Sequence, residues 1–264
     1  MDLICPAIGR DLARFEILLA SYRRFWRAPG RFHVFVPDSD RAVFAAAIRG
    51  LPGVVLRSKR EAIGTLPYEM GCAGWFRQQM VKLGAARLVE APVYCAIDAD
   101  CFLAAPVTDD VNEDAIPWQR VDQDRQEFYR GAAEALGLED LPARRFLWRP
   151  PFFFGTRVVR AALERIEKVH GESWQEVLAR QAVWAEVAVY HLMVRRLGIE
   201  SLHIDAPSLT HEPIRWPHVD VEADFAAWNV DETFGGSYRF GVIHSNTAID
   251  PKRVAARLAG RFDG

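Results

Sequence analysis

The chain has 264 residues, with 33 Lys and Arg against 35 Asp and Glu, a formal charge of −2, and half of its residues hydrophobic. That length and apolar content suffice for one substantial core, and the balanced charge offers no overall field for nucleic acid or an anionic membrane. The four cysteines, Cys5, Cys72, Cys95 and Cys101, contain no C-x-x-C pair and sit among apolar residues, which argues for reduced thiols and against a zinc site or a disulfide frame.

In chain order, Met1-Asp2 leads directly into Leu3-Ile4-Cys5 without a basic segment and long apolar stretch, and no later apolar run approaches a bilayer span. The expectation is a cytoplasmic protein with at most a peripheral membrane contact. Short β-rich runs then alternate with amphipathic ones: Leu3–Ala7 and Leu12–Trp26, Phe32–Val36 and Arg41–Ile48, Val54–Leu56 and Gly74–Val89, and finally Val93–Ile97. Turn residues punctuate them at Pro6 with Gly9, Pro37-Asp38-Ser39-Asp40, Pro52-Gly53 and Ala91-Pro92, and Ser39 is placed to cap the next helix. This alternation implies an α/β fold with a mostly parallel sheet covered by helices on both faces.

The second half is less regular. Its pattern predicts helices at Arg125–Leu136, Arg157–Val169, Trp174–Leu178, Trp184–Leu197 and Pro251–Leu258, an aromatic strand at Pro151–Phe154, and short strands around Leu202 and Val242. Ser208–Pro217, rich in Pro, His and Trp, reads as an ordered loop, because its aromatic rings are costly to leave in water. With no repeat, low-complexity tract or linker, one domain over residues 1–264 is expected.

The most informative segment runs Val93-Tyr94-Cys95-Ala96-Ile97-Asp98-Ala99-Asp100-Cys101-Phe102-Leu103. On an extended chain residues two apart share a side, so Asp98 and Asp100 converge at the sheet edge. Their hard oxygens suit Mg2+ or Mn2+, and holding a diphosphate is a common reason to keep such an ion there. Upstream, at about 100° per residue, Trp75, Gln78, Gln79 and Lys82 form a polar stripe bounded by apolar ones. That pattern suits a helix facing a cleft, although Lys82 could equally snorkel while the glutamines meet solvent.

Here the sequence resembles nucleotide-sugar-dependent glycosyltransferases of the GT-A fold, whose Asp-x-Asp motif at a strand end binds a metal on the donor's diphosphate. Gly74-Trp75-Phe76-Arg77-Gln78-Gln79-Met80-Val81-Lys82-Leu83 followed by Asp98-Ala99-Asp100 is similar to a bacterial group of capsule- and surface-polysaccharide-associated glycosyltransferase-like proteins. The resemblance implies a GT-A-like (Rossmann-like) fold, with residues 1–104 as the nucleotide-sugar half and 105–264 as the acceptor side. It implies Mn2+ or Mg2+ on Asp98 and Asp100, donor contacts from Gln78, Gln79 and Lys82, and base or ribose contacts from the main chain of Ala7 and Ile8 after the first strand. Asp11 beside them reads more simply as a helix N-terminal acid.

Glu186 and Tyr190 lie one helical turn apart amid apolar residues, where burial raises a carboxyl and makes it a proton acceptor. By analogy with inverting GT-A enzymes, Glu186 is the candidate base for the acceptor hydroxyl and Asp100 the metal-holding catalytic acid residue. A structural carboxylate, paired with Arg195 or capping a loop amide, is the alternative reading of Glu186. Trp184 and Ala185 depart from the Ser-Glu-Tyr-x-x-Tyr-like helix of that bacterial group. His244, after a strand at Phe240-Gly241-Val242-Ile243, is the candidate third metal ligand, in competition with His211 and His218. Ser245 and Asn246 are candidate phosphate or sugar partners, and Trp148, Trp216 and Trp228 candidate walls of an acceptor cleft. Asp122 and Asp124 form another spaced pair, read as solvated surface.

The resulting expectation is a metal-dependent transferase moving a sugar from a nucleotide-diphosphate sugar to a glycan or other hydroxyl acceptor. Two rivals stay open: a haloacid-dehalogenase-like phosphatase using Asp98 and Asp100, and a nucleotide-sugar-binding module without catalysis.

Overall fold

The computed structural model describes residues 1–65, 74–121, 126–142, 147–214 and 219–263. The first half follows the expected alternation, with β1 (Asp2–Pro6), α1 (Leu12–Phe25), β2 (Phe32–Val36), α2 (Arg41–Ala47), β3 (Val54–Ser58), α3 (Lys59–Ile63), α4 (Gly74–Gly84) and β4 (Val93–Ala96). There follow β5 (Cys101–Leu103), β6 (Ile116–Trp118), β7 (Arg120–Val121), α5 (Gln126–Leu136), β8 (Leu147–Trp148), β9 (Phe152–Gly155), α6 (Thr156–His170), α7 (Trp174–Arg180) and α8 (Glu186–Leu197). The chain closes with β10 (His203–Asp205), β11 (Thr210–His211), α9 (Val221–Ala227), α10 (Val230–Phe234), β12 (Phe240–Val242) and α11 (Pro251–Arg257).

The main sheet has the order β3-β2-β1-β4-β9, parallel except for the antiparallel β4–β9 edge. β1 and β2 are buried along their whole length, as strands covered on both faces must be. Alternate side chains feed two cores. Leu3 and Cys5 face α1, where Phe15 and Leu18 pack; Ile4 and Tyr94 face the layer of α4, α6 and α8. A third cluster gathers Phe225, Trp228, Ile243 and Val254 near the C-terminus.

Two local expectations are corrected. The strand predicted at Val93–Ile97 ends at Ala96, and the two acids lie not on an extended chain but in a turn that Cys101 N–H closes by donating to the Asp98 carbonyl at 3.1 Å, after which β5 pairs antiparallel with β12. Ser39 does not cap α2; its hydroxyl donates to Asp40 Oδ1 (3.2 Å), and the other Asp40 oxygen accepts the Gly9 N–H at 2.6 Å, tying the loop after β1 to the loop after β2. Ser58, by contrast, forms a capping box with Glu61 at the head of α3, an element the sequence pattern did not suggest. The short α9 and α10 and the β6–β10 pairing were likewise not foreseen.

Cys5, Cys95 and Cys101 are buried free thiols, while Cys72 lies outside the described residues. Among the described residues no helix is long and apolar enough to cross a membrane.

Candidate functional site

Both acids of the turn after β4 are held by neighbouring donors, and the Cys101 thiol lies 4.0 Å from Asp100 Oδ1. Asp98 Oδ1 accepts from Gln78 Nε2 at 2.8 Å and lies 2.9 Å from Lys82 Nζ, both on α4. Asp100 Oδ2 accepts the Ser245 N–H at 2.7 Å, and its carbonyl accepts the Ile243 N–H at 3.1 Å, so the exit of β12 is strapped to the turn. Burial and then the charge of Asp98 raise the Asp100 carboxyl above the usual aspartate value, against the pull of His244, the Ser245 N–H and Arg14.

The polar stripe of α4 therefore does face the acids, but Lys82 does not reach outward to a phosphate. It is buried, 3% exposed, between Asp98 and Glu186, with Glu186 Oε1 3.0 Å away and the Phe152 ring 4.7 Å from its nitrogen. Although burial opposes its charge, the two carboxylates hold the ammonium well above the ordinary lysine value. Gln79 is also buried; its Oε1 accepts the Glu186 N–H at 2.9 Å and so caps α8, whose own N-cap residue, Ala185, has no side-chain acceptor.

Glu186, the expected acceptor base, is the buried partner of Lys82 rather than of Arg195; a base must come within hydrogen-bond reach of a substrate hydroxyl, and this carboxylate is 4% exposed. Tyr190, one turn on, serves a different network: its hydroxyl accepts the Gly155 N–H at 2.9 Å and meets His203 Nε2 at 2.9 Å.

Beside the acid turn lies a cleft of about 850 Å3, at the carboxyl ends of the parallel strands β1, β2 and β3. Open α/β sheets bind ligands in such a crevice, where successive strand-to-helix loops meet. Ile8 and Asp11 after β1, Ser39 after β2 and Lys59 after β3 line it, with Gln78 and Ser245 at the side of the acids. Those last two side chains and main-chain groups are the link: one residue bonds Asp98, the other Asp100. Arg10, Arg60 and Arg77 add positive charge to the lining, and Trp75, 50% exposed, stands at the same cleft.

Ala7 is buried, and its N–H donates to the Phe35 carbonyl at 2.9 Å and so completes the sheet. Ile8 does line the cleft, but its N–H is engaged by Asp11 Oδ2 at 3.3 Å. Burial raises the Asp11 carboxyl. Asn246 is exposed on the turn that starts at Ser245.

His244 lies close enough for Asp100 and Asp98 to act on it, and its Nε2 is 2.9 Å from Glu212 Oε1, whose other oxygen lies 3.2 Å from Arg149 Nε. Burial works against the imidazolium, yet these acids raise its pKa overall. Among the described residues no three His, Cys, Asp or Glu side chains are gathered so as to hold a metal ion, so the expected set of Asp98, Asp100 and His244 is not assembled. Glu212 was missed: a single acid in an irregular loop has no periodic signal.

The competing His211 stacks on Tyr238 and contacts Thr233 Oγ1 at 2.7 Å. Trp228 is corrected to core, buried with Nε1 donating to Thr233 Oγ1 at 2.8 Å. His218, Trp216, Asp122, Asp124 and the side chain of Trp148 lie outside the described residues.

A family model described as "Family of unknown function (DUF6492)" matches residues 1–262. The chain belongs to this family. No curated protein matches the DUF6492 chain. Among solved structures, the apo form of mouse xyloside xylosyltransferase 1 superposes with a TM-score of 0.52 at 12% identity, over 95% of this chain and 100% of that one. The galactosyltransferase LgtC, solved with donor and acceptor sugar analogues, gives 0.47 at 12% identity, over 98% and 95% of the two chains. The first likeness shows the fold: a mixed α/β architecture of the GT-A glycosyltransferase type, its mostly parallel sheet flanked by helices as expected.

Proposed function

We propose that this DUF6492 chain is a glycosyltransferase of the Leloir type, transferring a sugar from a nucleotide-diphosphate sugar to a hydroxyl acceptor with the help of Mn2+ or Mg2+. The observation that carries this reading is the joining of the cleft at the ends of β1, β2 and β3 to the Asp98–Asp100 turn through Gln78 and Ser245. The cleft has the place and the size of a nucleotide site, and its Lys59, Arg10, Arg60 and Arg77 suit a diphosphate. Residues 1–104 supply most of this donor side, and 105–264 add Ser245 and, on this reading, the acceptor side. The resemblance of 74–83 and the Asp-x-Asp turn to surface-polysaccharide proteins points to a glycan acceptor.

The donor set suits a divalent ion. Asp98 and Asp100 supply hard oxygen ligands, and burial together with the nearby charge of Asp98 raises the Asp100 carboxyl. Two carboxylates plus substrate phosphates are the usual ligands of Mg2+ in phosphate chemistry. When bound, such an ion neutralises charge growing on the departing diphosphate.

The buried state of Glu186 favours a transfer in which that residue is not the base. The phosphatase rival has no support from this fold, whose Asp-x-Asp turn follows three strand–helix units.

The test is a thermal-shift and calorimetric panel of UDP, GDP, CDP and ADP with and without Mn2+, run on the wild type and on Asp100→Ala. Metal-dependent stabilisation by one nucleotide, lost in the variant, is expected. Equal shifts in both proteins would remove the metal role. Binding with neither transfer nor donor hydrolysis would leave a binding module.

A further inference from the structure

We propose that Lys82 is a positioning residue for Asp98 and that Glu186 is its anchor, so that this pair sets the geometry of the donor-side carboxylate and transfers no proton. The inference rests on the reading of the Asp98–Asp100 turn as the site of the donor's diphosphate and its ion.

Residues 78 and 82 are four apart on α4 and so present their side chains on one face. Both end on the same oxygen, Asp98 Oδ1, at 2.8 and 2.9 Å. Two donors from one helix on a single oxygen fix the rotation of that carboxylate and leave Oδ2 to a ligand. The carboxylate is 21% exposed on its own side chain, so it stands between the interior and the site. Lys82 alone could follow a moving Asp98; Glu186 Oε1, 3.0 Å from the same Nζ, gives the ammonium a second, separate anchor.

Glu186 is itself fixed. It opens α8, its N–H is bonded to Gln79 Oε1, and Gln79 follows Gln78 on α4. The two helices are therefore tied by a main-chain contact and by an ion pair, and the ion pair continues to the acid turn. Tyr94 adds a further tie, its hydroxyl donating to the Lys82 carbonyl at 2.9 Å. A pair serving stability alone could end at Lys82–Glu186; here the third member is the carboxylate of the proposed donor site.

The experiment measures Mn2+ binding by the EPR signal of free Mn2+, in the presence of whichever of UDP, GDP, CDP or ADP the wild type binds. Lys82→Met, Glu186→Ala and Glu186→Gln are compared, with melting temperature followed separately. Outer partners of metal ligands are typically worth about 10–100-fold in metal affinity, and a loss in that range is expected for Lys82→Met and Glu186→Ala. Glu186→Gln retains an acceptor for Nζ and should recover part of it. Should Lys82→Met not fold, Gln78→Leu removes the other donor to the same oxygen from a partly exposed position, and a weaker loss in the same direction is expected.

Unchanged Mn2+ affinity in folded Lys82→Met, or in Gln78→Leu, overturns the proposal. So does a Glu186→Gln enzyme that loses turnover while keeping Mn2+ affinity, which would restore Glu186 as a base. Asp100→Ala is the control, since Asp100 makes no bond to Lys82. If it binds Mn2+ and nucleotide as the wild type does, the reading of the site has failed and the inference with it.

Discussion

The acid sensitivity of this fold should centre on His203. Its ring is buried, stacked on Trp118 at 4.4 Å between centroids, with Nε2 2.9 Å from the Tyr190 hydroxyl and Nδ1 3.3 Å from the Ile199 carbonyl. Burial lowers its pKa from 6.5 to about 4. The unfolded chain therefore binds the proton first, so this group's contribution is complete above pH 6.5 and is lost as pH falls toward 4. With those two values the linkage relation gives a loss of about 2 kcal/mol at pH 5 and about 3 kcal/mol at pH 4. For a chain of this size 2 kcal/mol corresponds to roughly 4–8 °C in melting temperature. His203→Gln offers a side chain that can accept from Tyr190 and donate to Ile199 but does not titrate. Thermal unfolding of both proteins between pH 7 and 4.5 should show a shallower decline in the variant. Parallel curves would refute the argument, because the lost stability would then belong to other groups.

Further outcomes follow from close contacts and charges. Lys82→Met leaves the Asp98 and Glu186 carboxylates without their shared cation, and a loss of about 3–5 kcal/mol in urea unfolding is expected, partly recovered in Lys82→Met with Glu186→Gln. Gly131→Ala places a Cβ 2.0 Å from the Val183 carbonyl oxygen and should lower the melting temperature sharply; Gly74→Ala meets nothing within 4 Å and should not. Lys59 lines the cleft with an amine lowered by burial. Lys59→Met should weaken nucleoside diphosphate binding by about 10–100-fold in calorimetry, the range of a lost charge-assisted hydrogen bond; unchanged affinity would place the phosphates elsewhere.

Periodicity made the first half of the fold legible. β2 matches the predicted Phe32–Val36, and α1 and α2 end within one residue of the predicted helices, because each buries a continuous apolar face. The same logic placed Gln78 and Lys82 toward the acids. It could not say that the ammonium would be enclosed, since Glu186 comes from a helix more than a hundred residues away and no local pattern encodes that meeting. The break at Ile97–Asp100 was hidden because the residues on either side, Val93–Ala96 and Cys101–Leu103, are both strand formers that join different sheets. Trp228 read as a loop aromatic, although Phe225 and Arg257 enclose it. Where the signal was one residue in an irregular loop, as for Glu212, sequence reasoning had nothing to work on.

The two acids of the turn are not equivalent, and the difference follows from what surrounds each. Asp98 is met by a permanent cation and an amide from α4, which cover its charge in the protein itself. Asp100 receives a main-chain N–H, and the positive groups beyond it, His244 and Arg14, do not offset burial and the nearby Asp98, as its raised carboxyl shows. On the proposed reading, a divalent ion would meet Asp98 with its charge shared with Lys82 and Asp100 with no lysine beside it. The turn thus pairs one carboxylate fixed from α4 with another strapped to the exit of β12.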